Sequence, residues 1–157
     1  MAISVESSNK VWQKAKAALA NANPAAQNAF LELKKYLATQ KANPDLQFVP
    51  FTEAQCDAAG GTPIVDAACK LYGIFIKKEN SATDNFFWAY DDATNDGTAG
   101  DARVSLALLV ANDESFYINP AGLDMGTGVV VTQYATDALG ASDGSNGGAG
   151  FVIIGTP

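Results

Sequence analysis

Residues 71–90 read LYGIFIKKENSATDNFFWAY. Two runs within it, Leu71–Lys78 and Asn85–Tyr90, are rich in β-branched and aromatic side chains and are separated by turn-forming residues around Asn80-Ser81. Such side chains pack well on a pleated surface, so both runs read as strands. The same chemistry recurs in Arg103–Val110 (RVSLALLV), Ser115–Ile118 (SFYI), Gly128–Tyr134 (GVVVTQY) and Gly150–Gly155 (GFVIIG). Turns are expected at Asn112-Asp113, at Asn119-Pro120 and in the Gly-rich stretch from Gly140 to Gly148. Six short strands with polar turns and no helical crossovers predict an antiparallel sandwich.

Upstream of residue 71 the spacing is different. Val11, Ala15, Ala18, Leu19 and Ala22 follow the stripe of an amphipathic helix, with Ser7 or Ser8 available as its cap. Asn23-Pro24 is a cap with proline at the first helical position, and Ala26, Phe30, Leu33 and Leu37 repeat the stripe until Asn43-Pro44 breaks it. The stripes are narrow and rich in alanine, so these helices are expected to need the body or another subunit to stay folded. Leu46–Phe51 is a further candidate strand interrupted by Pro50. After it, Thr52-Glu53-Ala54-Gln55 has the form of a capping box, opening a short helix closed by Gly60-Gly61. The expected fold is therefore α+β: an N-terminal helical pair in residues 1–44, followed by an antiparallel β-sandwich in residues 45–157.

Charge divides along the same line. Residues 1–41 carry six lysines against Glu6 and Glu32, a balance of +4, whereas residues 42–157 carry four cations against fifteen acids, a balance of −11. A basic head on an acidic body points to a head that touches something acidic, or to copies that meet head to body. The alternative is that the lysines only solvate the outer helix faces. Apolar residues make up 48% and charged ones 17%, too apolar for a disordered chain and too poor in charge for an ordinary cytosolic enzyme surface.

The 157 residues include no histidine, which excludes Ser-His-Asp and Cys-His relays and the usual zinc sites. Cys56 and Cys69 cannot hold a metal by themselves and their spacing matches no redox motif, so buried thiols are expected, with a disulfide left open. The stretch MAISVESSNK does not read as a signal peptide and no eighteen-residue apolar span occurs, so synthesis in a cytoplasm and no membrane insertion are expected.

One segment invites a chemical reading: Asp91–Asp101, DDATNDGTAGD, with four aspartates. Aligned as a helix-loop-helix calcium loop from Asp92, it places Arg103 where the bidentate glutamate belongs, and its flanks read as strands. A looser ion site made by Asp91, Asp92, Asp96 and Asp101 stays open; otherwise no metal or cofactor is expected. A pair of glycosidase carboxylates would need an apolar pocket to raise one pKa, which a loop of Gly, Thr, Ala and Asn does not offer. A hairpin tip built on Asp96-Gly97 accounts for the residues more simply. Gly126-Thr127-Gly128 reads as a turn rather than a dinucleotide loop. Of the aromatic strand, Phe86 and Trp88 are expected to be buried with Phe87 facing the other way, rather than forming a stacking platform. The acidic body argues against nucleic acid as a partner.

From Leu71 to Gly155 the chain resembles the small β-sandwich structural proteins of tailed-bacteriophage virions. The resemblance is carried by the Tyr-Gly-x-Phe strand, the aromatic strand ending in Asp-Asp-Ala, INPAGLDMGTGVVVT and the Gly-Phe-x-x-x-Gly ending. It implies a non-enzymatic capsid decoration or cement protein, or a neck or tail component, located on the virion. The implied partners are the major capsid protein and copies of itself in a homotrimer, with no small-molecule substrate, nucleic acid or membrane. Trp12, Phe30 and Tyr36, with Lys34 and Lys35 beside them, are the candidate interface residues, because exposed aromatics anchor interfaces; the alternative for the aromatics is packing within the helical pair. Rival classes are a carbohydrate-binding sandwich, which would expose a row of aromatics, and an enzyme, which would need acids converging in a pocket.

Overall fold

The computed structural model of the protein describes residues 7–39, 45–57, 63–78, 85–92, 102–109, 114–134 and 148–157. The fold is α+β, with two N-terminal helices, α1 (Ser8–Ala18) and α2 (Pro24–Ala38), ahead of the strands. Ser7 caps α1 by accepting from the Lys10 amide, and Asn23 Oδ1 caps α2 by accepting from the Ala26 amide at 2.9 Å. The turn between the helices is tied from two sides: Gln27 Nε2 donates to the Leu19 carbonyl at 3.0 Å, and the Asn23 amide donates to a Glu114 carboxylate oxygen at 2.6 Å. The remaining elements are β1 (Leu46–Phe51), α3 (Glu53–Asp57), β2 (Cys69–Lys78), β3 (Asn85–Tyr90), β4 (Ala102–Leu109), β5 (Glu114–Met125), β6 (Val130–Tyr134) and β7 (Gly148–Gly155). The capping box at α3 forms as expected, the Thr52 amide donating to Gln55 Oε1 at 2.9 Å. Gly60-Gly61, the Asp96-Gly97 turn and residues 140–147 lie outside the described residues.

The strands form two antiparallel sheets, one in the order β1-β7-β2-β5 and the other in the order β4-β3-β6. Three layers result, because the four-stranded sheet is covered on both faces. Towards the smaller sheet, Leu71, Ile74 and Ile76 of β2 and Val152 and Ile154 of β7 join Phe87, Ala89, Val104, Val129 and Val131 in one core. On the opposite face, Tyr72, Phe75, Phe151 and Ile153 join Val11, Trp12, Ala15, Phe30, Leu33 and Leu37 of the helices in a second core. The two helices and the strands that follow therefore share buried surface. α1 lies against β1 and β7, and α2 against β5 and β2.

The Tyr-Gly pair of β2 makes this double burial possible. In pairing with β7 the register passes from Leu71↔Ile154 to Gly73↔Ile153, leaving Tyr72 as a bulged extra residue. The bulge changes the phase of alternation, so Tyr72 turns to the helices while Leu71 and Ile74 both face the sandwich core. A Cβ at Gly73 would lie 3.3 Å from Leu33 Cδ2, so glycine there lets α2 approach the sheet. On the other side, Gly73 pairs with Ile118 and Leu71 with Leu123. Residues 119–122 are therefore looped out of β5, with Gly122 at φ 79°. The expected turn at Asn119-Pro120 thus interrupts one long strand rather than ending a short one; Asn119 Oδ1 accepts from the Ala121 amide at 3.1 Å and holds the loop.

Across the helix-facing side runs a row of four phenylalanines, one from each strand. Phe48 lies 4.7 Å from Phe151, Phe151 is 5.0 Å from Phe75, and Phe75 is 6.2 Å from Phe116, ring centre to ring centre. Such pairs contribute beyond the area they bury, so the row fastens the sheet across its strands. The exposed edge strand β1 is blunted by Pro50, which has no amide hydrogen to offer another chain.

Burial on both faces makes a clear prediction. Ile153 and Ile154 are neighbours in β7, point to opposite sides and are both fully buried. Ile153→Ala and Ile154→Ala are each expected to cost about 2–5 kcal/mol, measured by urea unfolding; a negligible cost at either position would mean that one face is not packed.

Candidate interaction surface and the aspartate stretch

Asp91, the first residue of the aspartate stretch, directly follows β3 and reaches across to the turn between β5 and β6. Its carboxylate accepts from the amides of Gly126 (2.8 Å), Thr127 (2.8 Å) and Gly128 (3.4 Å) and from Thr127 Oγ1 (3.0 Å). Three successive amides converging on one carboxylate form an anion-binding concavity, here filled by the protein's own side chain. Burial alone would raise the Asp91 pKa, but the bonds from Gly126, Thr127 and Gly128 outweigh it and hold the carboxyl below its ordinary range. Gly128 is the close-approach position of the turn: a Cβ there would collide with the Val65 carbonyl oxygen and lie 2.6 Å from that of Asp92. Neither sequence motif indicates the other, since they stand 35 residues apart and each reads as an ordinary turn.

Asp91 is thus a clamp on a corner. Among the described residues no group of three or more Cys, Asp or Glu side chains is placed to hold a metal ion. Asp96 and Asp101 lie outside the described residues. The strands flanking the stretch are antiparallel neighbours, with Tyr90 paired to Ala102, as a hairpin requires.

The aromatic strand departs from expectation. Phe87 and Ala89 enter the sandwich core, while Trp88 is half-buried on the opposite face with its Nε1–H shut away and, among the described residues, without a hydrogen-bond partner. Both faces of this strand carry apolar residues, so alternation tells which side chains share a face but not which face turns inward. Cys56 and Cys69 are buried and not joined in a disulfide. Burial, and secondarily the negative charge of Asp91, pushes the Cys69 thiol up to about 12.

The candidate interface residues separate into two groups. Trp12 and Phe30 pack against each other in the helix–sheet core, their ring centres 5.8 Å apart. Tyr36 is 49% exposed, and Lys34 and Lys35 are exposed on the same helix. Leu31, which the sequence reading did not single out, is 55% exposed. It lines an open groove of about 650 Å³ between α1 and α2, with Lys16 and Lys34 on its rim. A second cleft, of about 320 Å³, lies where the helical turn meets the sheet, over Phe48, Phe75 and Phe151 and beside Glu114 and Ser115. Exposed apolar side chains beside lysines give the helical layer the character of a contact surface.

No family model, curated protein or solved structure matches this chain. No helix among the described residues is long and apolar enough to cross a membrane.

Two outcomes follow from this corner. Asp91 has a depressed folded pKa, so its contribution is complete above the unfolded value of about 3.9 and fades as pH falls through the folded one. Asp91→Ala is expected to lower stability at neutral pH by about 1–3 kcal/mol. The gap from the wild type should narrow below about pH 4 in acid-titrated urea melts. Cys69 has the opposite sign: its raised pKa favours the folded state below its ordinary 9.0, an advantage lost as pH climbs towards about 12. At pH 8 a thiol reagent should therefore modify Cys69 only as fast as the protein opens, and quickly once denaturant is added.

Proposed function

We propose that this chain is a non-enzymatic structural protein of a phage virion, a capsid decoration protein that binds the outer shell as an oligomer. The observation that carries this reading is the helical layer. Five lysines against one glutamate in residues 8–38, beside exposed Leu31 and Tyr36, form a basic surface with apolar anchors on a chain whose remaining residues are strongly acidic. A surface of this kind contributes affinity through a few desolvated anchors and guides encounter through charge. The sequence resemblance over Leu71–Gly155 supplies the virion context.

The architecture supports a role through shape. Three layers hold the helical face in place, and Asp91, the first residue of the aspartate stretch, closes a corner. The carbohydrate-binding alternative draws less support, because Phe75 and Phe151 of the aromatic row lie buried beneath the helices instead of forming an open platform. A neck or tail position is the structural alternative and is separated by where the protein binds.

The test is to mix the purified protein with phage shells that lack it, follow co-sedimentation and image the pellet by electron microscopy. Regular density on the shell is expected, and Tyr36→Ala should weaken binding by roughly 1–2 kcal/mol, as loss of an interface anchor does. Absence of binding to shells overturns the decoration reading, and density confined to the neck or tail moves the protein there.

A further inference from the structure

We infer that the groove between α1 and α2 is the seat of a second copy of this chain, whose acidic sandwich end docks into it head to tail. The inference deepens the proposed function and rests on it only in holding that the protein works through contacts with other chains. The groove is built by two side-chain stripes: Lys16 and Ala17 from α1 with Ala20 just past its end, and Gln27, Leu31 and Lys34 from α2. These positions recur at helical spacing on the flanks that do not face the sheet, so they are free of the task of packing α1 and α2 onto it. The lining combines apolar Ala17, Leu19, Ala20 and Phe30 and the exposed Leu31 with the cations Lys16 and Lys34.

Charge decides between the ways two copies could meet. Head to head, two helical segments of +4 would face each other, and like charges at close range oppose association. Head to body, +4 faces −11. The body has an acidic end suited to the groove. Asp66, beside the Val65–Val129 bridge, and Asp124, near the β5–β6 corner, both face solvent there, with Lys70 bonded to Asp124. Asp66 is exposed, and Asp124 keeps most of its side chain in solvent while bonding Lys70 at 2.6 Å. The two surfaces are different parts of the molecule, so the contact is heterologous, and repeating it closes a ring or extends a filament.

The experiment measures mass by size-exclusion chromatography with light scattering on the full chain, over a dilution series at two salt concentrations. At about 10 mM salt the Debye length is about 30 Å, and at about 1 M it is about 3 Å. The wild type is expected to assemble at low salt and to dissociate at high salt. Lys16→Glu with Lys34→Glu reverses the groove, and Asp66→Lys with Asp124→Lys reverses the acidic end. Each double variant alone should remain monomeric, and mixing the two should restore a species of at least twice the monomer mass, because each then offers a complementary face to the other. Circular dichroism and urea melts of both variants establish that they fold.

Three results overturn the inference: a wild type that stays monomeric throughout, an oligomer that neither double variant disturbs, or variants whose mixture fails to associate. A monomer that captures polyglutamate through Lys16 and Lys34 assigns the groove to a different acidic partner and overturns the self-contact. A monomer that still coats shells overturns this contact and leaves the decoration reading standing; head-to-tail assembly without shell binding does the reverse.

Discussion

Strands β2 and β7 carry large apolar side chains on both faces, and the rest of the architecture follows from keeping both faces out of water. A sheet with one wet side alternates apolar and polar residues, whereas Ile74-Phe75-Ile76 and Phe151-Val152-Ile153-Ile154 do not alternate. The smaller sheet covers one face and the helical pair covers the other. This is why narrow, alanine-rich helices hold here although their stripes would be marginal alone. Their stability lies in the contact with Phe75, Phe151 and Ile153, and the phenylalanine row beneath them ties four strands into a single platform.

The sandwich ends need a different solution, because backbone amides at a corner have no ladder partner. At the β5–β6 corner the partner is the Asp91 carboxylate, which satisfies three amides and a hydroxyl at once. Charged acceptors make stronger hydrogen bonds than neutral ones, so one side chain just past β3 holds the turn that connects the two sheets. Gly128 is required beside it because the carbonyls of Val65 and Asp92 occupy the space a side chain would take.

With the interior arranged this way, the outer helix flanks are left over. They carry lysines, small residues, and the exposed side chains of Leu31 and Tyr36, on a chain whose other charged residues are mostly acidic. A surface patterned like this is suited to contact with another chain. The proposed roles, on a shell and between copies, use the same physical resources: steering by opposite charge and a small apolar contact that excludes water.

Much of the fold was legible in the order of residues. The helical stripes, the Asn23-Pro24 cap, the capping box at Thr52 and the approximate place of each strand stood out, because each is written by neighbours a few residues apart whose spacing or turn chemistry has a local cause; β5 was legible only in Ser115–Ile118, since its continuation past Asn119-Pro120 depends on pairing with β2. The division of charge at about residue 41 was equally plain. What only the tertiary structure decided are matters of facing and partnership. Phe87 rather than Trp88 turns inward, Tyr72 bulges towards the helices, Trp12 and Phe30 are buried while Tyr36 is exposed, and Asp91 serves a turn 35 residues away. Periodicity encodes which side chains share a face, but which face is covered, and by what, is fixed only when segments distant in the chain compete for the same buried surface.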